Sequence, residues 1–542
     1  MVMKKILSIQ IIALWAATLP AFAAGPSVAI LAPKNPHPLE QIAIEEVTAQ
    51  LKNLFDAQVT VTQRAGRHEH VIVIGSHAAS RIPKLKLGPQ EHLVRSRKPA
   101  GRDELVVAGG SPQATYWAAI EFGHHFGVRR LLHADFPPLA KPKFTLAGIN
   151  VHRKPVFEDR AWHAMGDSPA GPASWSMAEH RVRLRQLAKL KFTRIILPLR
   201  SSQPFLPQNK QGRLWQQPEL RVDGETAGRA AFGRARVFHN PDFDHNDAPA
   251  TGVRLVRGIV SEAKKLGLKV SLTGAASKTE VAAYRRTYPD ADSVSQSGKL
   301  TTIEIGNLKG NVLPQFDLKR LHATLSALRQ ANGKGFAAAC QLPDDLNTSV
   351  YYLAQASFDP NMTPARAVKE LVNPICGEGV GARIAIGFDH LAQAGALVNR
   401  HDPTIATPRR DVIMRHYLSA EAVPPWWGEA KTGFIMAMNE MYRANTRARG
   451  GARAFSLYLA KRFEFALHYF TCIESLRAAG IARAAKDQAA QLEGLDKAVE
   501  AMHNAMSALA DVDRNNGDRG VIALFNEYGF RPLVRELEKA DR

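Results

Sequence analysis

Residues 176–199 read SMAEHRVRLRQLAKLKFTRIILPL, and two periods meet inside them. Ser176 and Glu179 have capping-box spacing, which predicts a helix start. Leu184, Leu187 and Ala188 make an apolar stripe, while Arg181, Arg183, Arg185 and Lys189 fall largely on the other face. From Phe192 to Leu199 the pattern turns β-branched and apolar, which predicts a buried strand after a short turn. A helix feeding a buried strand is the unit of a parallel α/β fold. The expected fold class is therefore α/β: a (β/α)8-like (TIM) barrel, with other material before and after it.

The chain has 542 residues, 45% of them hydrophobic, enough for roughly two to four domains with real cores. Residues 1–24 have the order of a secretory signal: Lys4 and Lys5, an apolar run over 6–19, then Ala21-Phe22-Ala23. The expected mature protein is periplasmic or secreted. The apolar run is too short for a comfortable membrane span, and no later stretch is long enough. No stable membrane insertion is expected after cleavage.

The formal net charge is +21. Such a charge can attract nucleic acid or an acidic surface. Here Arg and Lys are spread over the whole chain, without a basic arm or an RNA-binding motif, so nucleic acid is not an expected partner. An anionic polysaccharide, the envelope itself or a merely solvated surface are the readings left. Cys340, Cys376 and Cys472 are few and far apart, and buried free thiols are expected.

Residues 25–150 read as a small α/β domain, with strands expected at 28–31, 59–62, 71–75, 92–95 and 105–108. A helix is expected over 39–55, and another after the turn Gly109-Gly110-Ser111-Pro112. That Gly-Gly turn lacks both the dinucleotide and the P-loop pattern. VIVIGS (71–76), ELVVAGGSPQATYWAAIEFGHHFGVRRLL (104–132) and DFPP (135–138) resemble the small domain that precedes the catalytic barrel in family 20 hexosaminidases and family 67 α-glucuronidases. The resemblance implies an accessory domain without catalytic residues of its own.

Residues 151–360 are the barrel candidate. PVFEDRAWH (155–163) resembles the first barrel strand of the same families, where an arginine contacts sugar hydroxyls. Arg160 is the matching position, so the resemblance implies that it binds substrate, and Trp162 beside it is a further substrate-binding candidate. The alternative for Arg160 is a structural ion pair with Glu158 or a neighbour. Helix, glycine and strand recur at 251–272 and at 317–340, as parallel construction requires. The long loop 200–250 carries HNPDFDHND (239–247), which has no fixed metal-ligand spacing, and no metal or other cofactor is expected. Two features argue that the barrel is shortened in its middle. The strand signal is thin between Gly274 and Leu313, and the segment falls short of the roughly 250 residues common for eight units.

Residues 361–542 read as helical, interrupted by PPWWG (424–428). Trp426 and Trp427 on such a loop would stack on sugars, or else pack between helices. NEYGFRP (526–532) reads as a polar-aromatic turn.

Glycoside cleavage usually needs two carboxyl groups, placed in a barrel at the C-terminal ends of strands. That rule selects Asp167 after the first strand, and Asp344 and Asp345 in CQLPDDL (340–346). Asp242, Asp244 and Glu304 are weaker candidates. The only Asp-Glu pair, Asp103-Glu104, lies in the accessory domain, so substrate-assisted hexosaminidase chemistry is not expected. There is no HExxH, GxSxG, CxxC or P-loop. The sequence therefore points to an exported glycoside-hydrolase-like protein with a carbohydrate substrate. The alternative is a non-catalytic carbohydrate-binding protein on a degenerate barrel. The sequence leaves the oligomeric state open.

Overall fold

The computed structural model describes residues 25–164, 171–172, 175–198, 248–275, 277–296, 298, 300–306, 312–340, 346–402, 405 and 412–542. The expected signal over 1–24 and the HNPDFDHND stretch lie outside them.

The chain opens with β1 (Ser27–Leu31), α1 (Pro38–Phe55), β2 (Gln58–Thr62), β3 (His70–Ile74), β4 (His92–Arg97), β5 (Asp103–Gly109) and α2 (Pro112–His125). A small ladder of β6 (Arg129–Arg130) and β7 (Asp135–Phe136) leads to β8 (Asn150–Arg153). The sheet order is β2-β1-β3-β5-β4-β8, parallel except for β4, which runs antiparallel to β5 and β8. Strand alternation divides its side chains. Val28, Ile30, Ile72, Ile74, Leu105 and Val107 join the core built with α1 and α2, while Ala29, Leu31, Val71, Val73, Val106 and Ala108 form a second cluster under Ile82, Leu85 and Leu87. The Gly109-Gly110 turn is glycine for packing. A Cβ on Gly109 would stand 2.2 Å from the backbone of α2, and one on Gly110 would stand 2.0 Å from the Gly88 carbonyl oxygen.

The second sheet begins with β9 (Asp159–Ala164) and continues through α3 (Met177–Lys189), β10 (Arg194–Pro198), α4 (Ala248–Lys265), β11 (Lys269–Thr273), α5 (Lys278–Thr287), β12 (Ser293–Val294), β13 (Thr301–Glu304), α6 (Leu318–Gln330) and β14 (Gly335–Cys340). Ser176 caps α3 as its sequence predicts. The Ser176 hydroxyl accepts from the Glu179 N–H at 3.2 Å, and the Glu179 carboxylate accepts from the Ser176 N–H at 2.7 Å. The order is β12-β11-β10-β9-β14-β13, and every pair is parallel. An eight-stranded barrel would close with two further strands between β12 and β13. Here residues 295–300 alone link them, and among the described residues no ladder joins these two edges. The thin strand signal in this region has that physical meaning.

Helices make up the rest: α7 (Asn347–Ala356), α8 (Pro364–Cys376), α9 (Val380–His401), α10 (Val412–Tyr417), α11 (Pro425–Arg447), α12 (Arg453–Ala485), α13 (Gln488–Ala510), α14 (Asn516–Phe525) and α15 (Arg531–Asp541). The last two are joined by a π-helical turn over Asn526–Phe530, where the sequence reads as an ordinary turn. All three cysteines are buried, and none is in a disulfide.

Candidate functional site

Functional groups of a parallel barrel-type sheet gather at the C-terminal ends of its strands. The accessory sheet and its helices cover the opposite end. Gln90 accepts from Arg160 Nη1 at 2.8 Å and donates to the Glu158 carbonyl at 2.9 Å, just before and at the start of β9. Gln113 of α2 donates to the Gly267 carbonyl at 2.7 Å, just before β11. Lys191, in the turn before β10, pairs with Glu121 of α2. The other end is bordered by the C-terminal helices. The Asn516 N–H at the start of α14 donates to Glu179 Oε1 at 2.6 Å, and Arg462 of α12 donates to the Val312 carbonyl at 3.0 Å.

The inner face of the sheet is layered. Nearest the accessory sheet, Arg194 donates to Ser271 Oγ at 2.8 Å, Ser293 donates to the same oxygen at 2.8 Å, and Asp159 stands 3.4 Å from Arg194. Above them Ala161, Ile196 and Ala337 make a small apolar layer with Leu300. In the third layer His163 stands opposite Ala339, and Ala339 stands opposite Glu304. Alternation with Ile303 and Ile305, which are buried among the helices, turns Glu304 to the inner face. Its carboxylate is exposed and has neither a hydrogen bond nor an ion pair among the described residues. Alternation along the TTIE stretch is the signal that marks Glu304, one of the weaker candidates in the sequence.

The expected catalytic residues Asp167, Asp344 and Asp345 lie outside the described residues, in the segments that follow β9 and β14. The four expected sugar-binding residues are described. Arg160 is 1% exposed. Its Nε donates to the Lys191 carbonyl at 2.7 Å and its Nη1 to the Phe157 carbonyl at 2.5 Å. Its guanidinium lies 5.1 Å from the Trp117 ring centre and 4.8 Å from that of Phe358. Burial pushes its pKa down to about 9, against the pull of Asp159. Its Nε and Nη1 are taken up by backbone carbonyls and the Gln90 amide oxygen rather than by the Glu158 carboxylate, and its Nη2 is buried without a hydrogen-bond partner among the described residues. Trp162 shares the helix-facing side with Arg160 and packs edge-on to Phe192 at 5.8 Å. Trp426 and Trp427 are not on a loop but in the first turn of α11, with Pro425 ahead of them. Trp427 is 1% exposed, and its indole N–H donates to Glu474 at 2.9 Å. Trp426 is half-buried and stacks on His401 with ring centres 5.3 Å apart.

Among the described residues no group of three His, Cys, Asp or Glu side chains could hold a metal ion. No described helix is long and apolar enough to cross a membrane.

No family model matches the chain, and no curated protein matches it. Solved structures do match in fold. A family 115 4-O-methyl-α-glucuronidase with specificity for decorated arabinogalactans aligns at TM-score 0.55 and 12% identity, over 93% of this chain and 80% of that one. A family 138 enzyme targeting pectin rhamnogalacturonan II aligns at TM-score 0.50 and 8% identity, over 95% of this chain and 100% of that one. At such identities the likeness is one of architecture. These matches support the mixed α/β, barrel-type architecture expected from the sequence, and they do not support a place in family 20 or family 67.

Proposed function

We propose that this protein is an exported, glycoside-hydrolase-like protein that acts on a polysaccharide or its oligosaccharides at the C-terminal face of the β9–β14 sheet. One observation carries the reading. The accessory sheet occupies the N-terminal ends of β9, β10 and β11, so the C-terminal ends are left for a substrate, in an architecture shared along most of the chain with carbohydrate-cleaving enzymes. Asp167, Asp344 and Asp345 follow two adjacent strands of that sheet in sequence and remain the proposed carboxyls.

The six-stranded sheet favours a second reading, a non-catalytic carbohydrate binder on a degenerate barrel. Hydrolysis of a panel of aryl glycosides and glucuronic-acid-bearing oligosaccharides separates the two. Glucuronic acid leads the panel because the family 115 enzyme is an α-glucuronidase. Turnover lost in Asp344→Asn, Asp345→Asn or Asp167→Asn supports the enzyme. Calorimetric binding without turnover on any substrate supports the binder.

A further inference from the structure

We propose that the β2 edge of the accessory sheet is a dimer interface, and that its occupant is β2 of a second copy of this chain, paired antiparallel about Thr60. The inference does not depend on the carbohydrate reading of the other sheet. β2 is the outermost strand on its side, and among the described residues it pairs with β1 alone. Soluble proteins commonly blunt such an edge with lysine, proline or a bulge. QVTVT (58–62) carries no charge and no proline, and its ladder to β1 runs unbroken from Gln58 to Thr62. Val61 on this strand is 51% exposed, while Val59 is half-buried against the core.

The ladder to β1 fixes the phase of the edge. The Gln58 N–H donates to the Pro26 carbonyl at 2.9 Å, and the Ala32 N–H donates to the Thr62 carbonyl at 3.1 Å. Gln58, Thr60 and Thr62 therefore turn their backbone groups toward β1, and Val59 and Val61 turn theirs outward. An antiparallel two-fold pair centred on Thr60 sets Val59 opposite the partner's Val61, and the two exchange both backbone bonds. The same register packs their side chains together on the helix-bearing face, because their ladder neighbours Val28 and Ile30 belong to the core built with α1 and α2. It also brings Asp56, just before the strand, toward the partner's Arg64, just after it. The Asp56 side chain is 73% exposed and pairs with Lys141, itself exposed, and Arg64 is exposed. Opposite charges across a strand pair stabilise it. Registers centred on Val59 or Val61 keep the phase and lose that charge pair, so the charges select Thr60 as the centre. A strand that is complementary to itself in phase, apolar face and charge selects a second copy over an unrelated strand.

The test is sedimentation velocity of the purified protein over a concentration series. A pair of five-residue strands buries little area, so the expected dimer is reversible, with Kd on the order of micromolar. Val61→Lys sets a charge against the apolar cross-strand partner and is expected to leave a monomer. Asp56→Arg and Arg64→Asp each place like charges at both ends of the pair, and each is expected to raise Kd roughly tenfold. Asp56→Arg combined with Arg64→Asp restores opposite charges in reverse and is expected to recover dimerisation. The altered side chains are exposed, so each variant's thermal midpoint at monomeric dilution is expected to match wild type, which is measured as a control. A wild-type protein that stays monomeric at every concentration overturns the proposal, whether or not its β2 edge takes up a strand from another protein. So does a dimer that Val61→Lys leaves intact, or a double charge reversal that fails to recover what the single reversals lose.

Discussion

Lys191 and Glu121 form an ion pair sealed between α2 and the turn that leads into β10, with side chains 6% and 2% exposed. Lys191 has φ of 65°, in the left-handed region where the backbone would favour glycine. Its side chain, not its backbone, selects the residue. Burial works against Glu121's ionisation, but the charges of Lys191, His124 and Arg153 outweigh it and hold the carboxyl well below the usual range. Removing one partner strands a buried charge. Lys191→Met is expected to cost about 3–5 kcal/mol in urea denaturation. Lys191→Met with Glu121→Leu is expected to recover much of that loss. A double variant as unstable as the sum of the singles would refute a coupled pair.

His92 sets a pH dependence. It is fully buried on β4, edge-on to Trp117 and Phe358 at 6.0 and 5.4 Å, and burial pushes its pKa down to about 3. Lys191 lowers it further, while Glu121 and the Gln90 carbonyl oppose the shift. In the unfolded chain the ring titrates near the ordinary value of about 6.5. Below that pH the unfolded state binds a proton that the folded state refuses, so stability falls with falling pH by about 1.4 kcal/mol per unit. The contribution is fully present above the unfolded value. His124, also buried and held well below the histidine range, adds in the same direction. His92→Phe is expected to flatten the stability curve between pH 6 and 4.5 by roughly one proton. An unchanged slope in denaturation midpoints over that range would remove His92 as a cause.

Arg160 separates a floor role from a sugar-contacting one. A lysine in its place keeps the charge but cannot reach the Lys191 carbonyl, the Phe157 carbonyl and Gln90 together. Arg160→Lys is expected to lose about 3 kcal/mol of stability. Carbohydrate affinity of the folded fraction is expected to stay at the wild-type value. Weakened binding with an unchanged thermal midpoint would return Arg160 to the site.

What was legible in the sequence was local. The Ser176–Glu179 box, the five accessory strands and the Asp317 cap of α6 each rest on residues a few positions apart, and the structure has them. The thin strand signal over 274–313 marked where the barrel is short of strands. Arg160 and Trp427 were not legible, because their surroundings come from far along the chain: Gln90 and Phe358 for one, Glu474 and Phe470 for the other. A fork or a ring that suits a sugar suits a buried partner equally well, and only tertiary contacts decide. Pro425 is a local signal that a helix begins at the tryptophan pair, and in the structure one does.

The tryptophan pair gives the last prediction. Trp427 lies under the surface of the helical bundle, 4.7 Å from Phe470 between ring centres, with its N–H on a carboxylate that Lys431 also meets at 2.6 Å. Truncating it opens a cavity that the surrounding long helices cannot readily collapse. Trp427→Ala is expected to cost about 3–5 kcal/mol. Trp426, half-buried against His401, loses less surface, and Trp426→Ala is expected to cost about 1 kcal/mol. Both rings pack against residues of the helical region, so carbohydrate affinity measured below each variant's melting point is expected to match wild type. The order of the two midpoints tests the burial assignment. If Trp426→Ala weakened sugar binding while Trp427→Ala did not, the half-buried ring would be a stacking platform at the bundle surface and the packing account of the pair would fail.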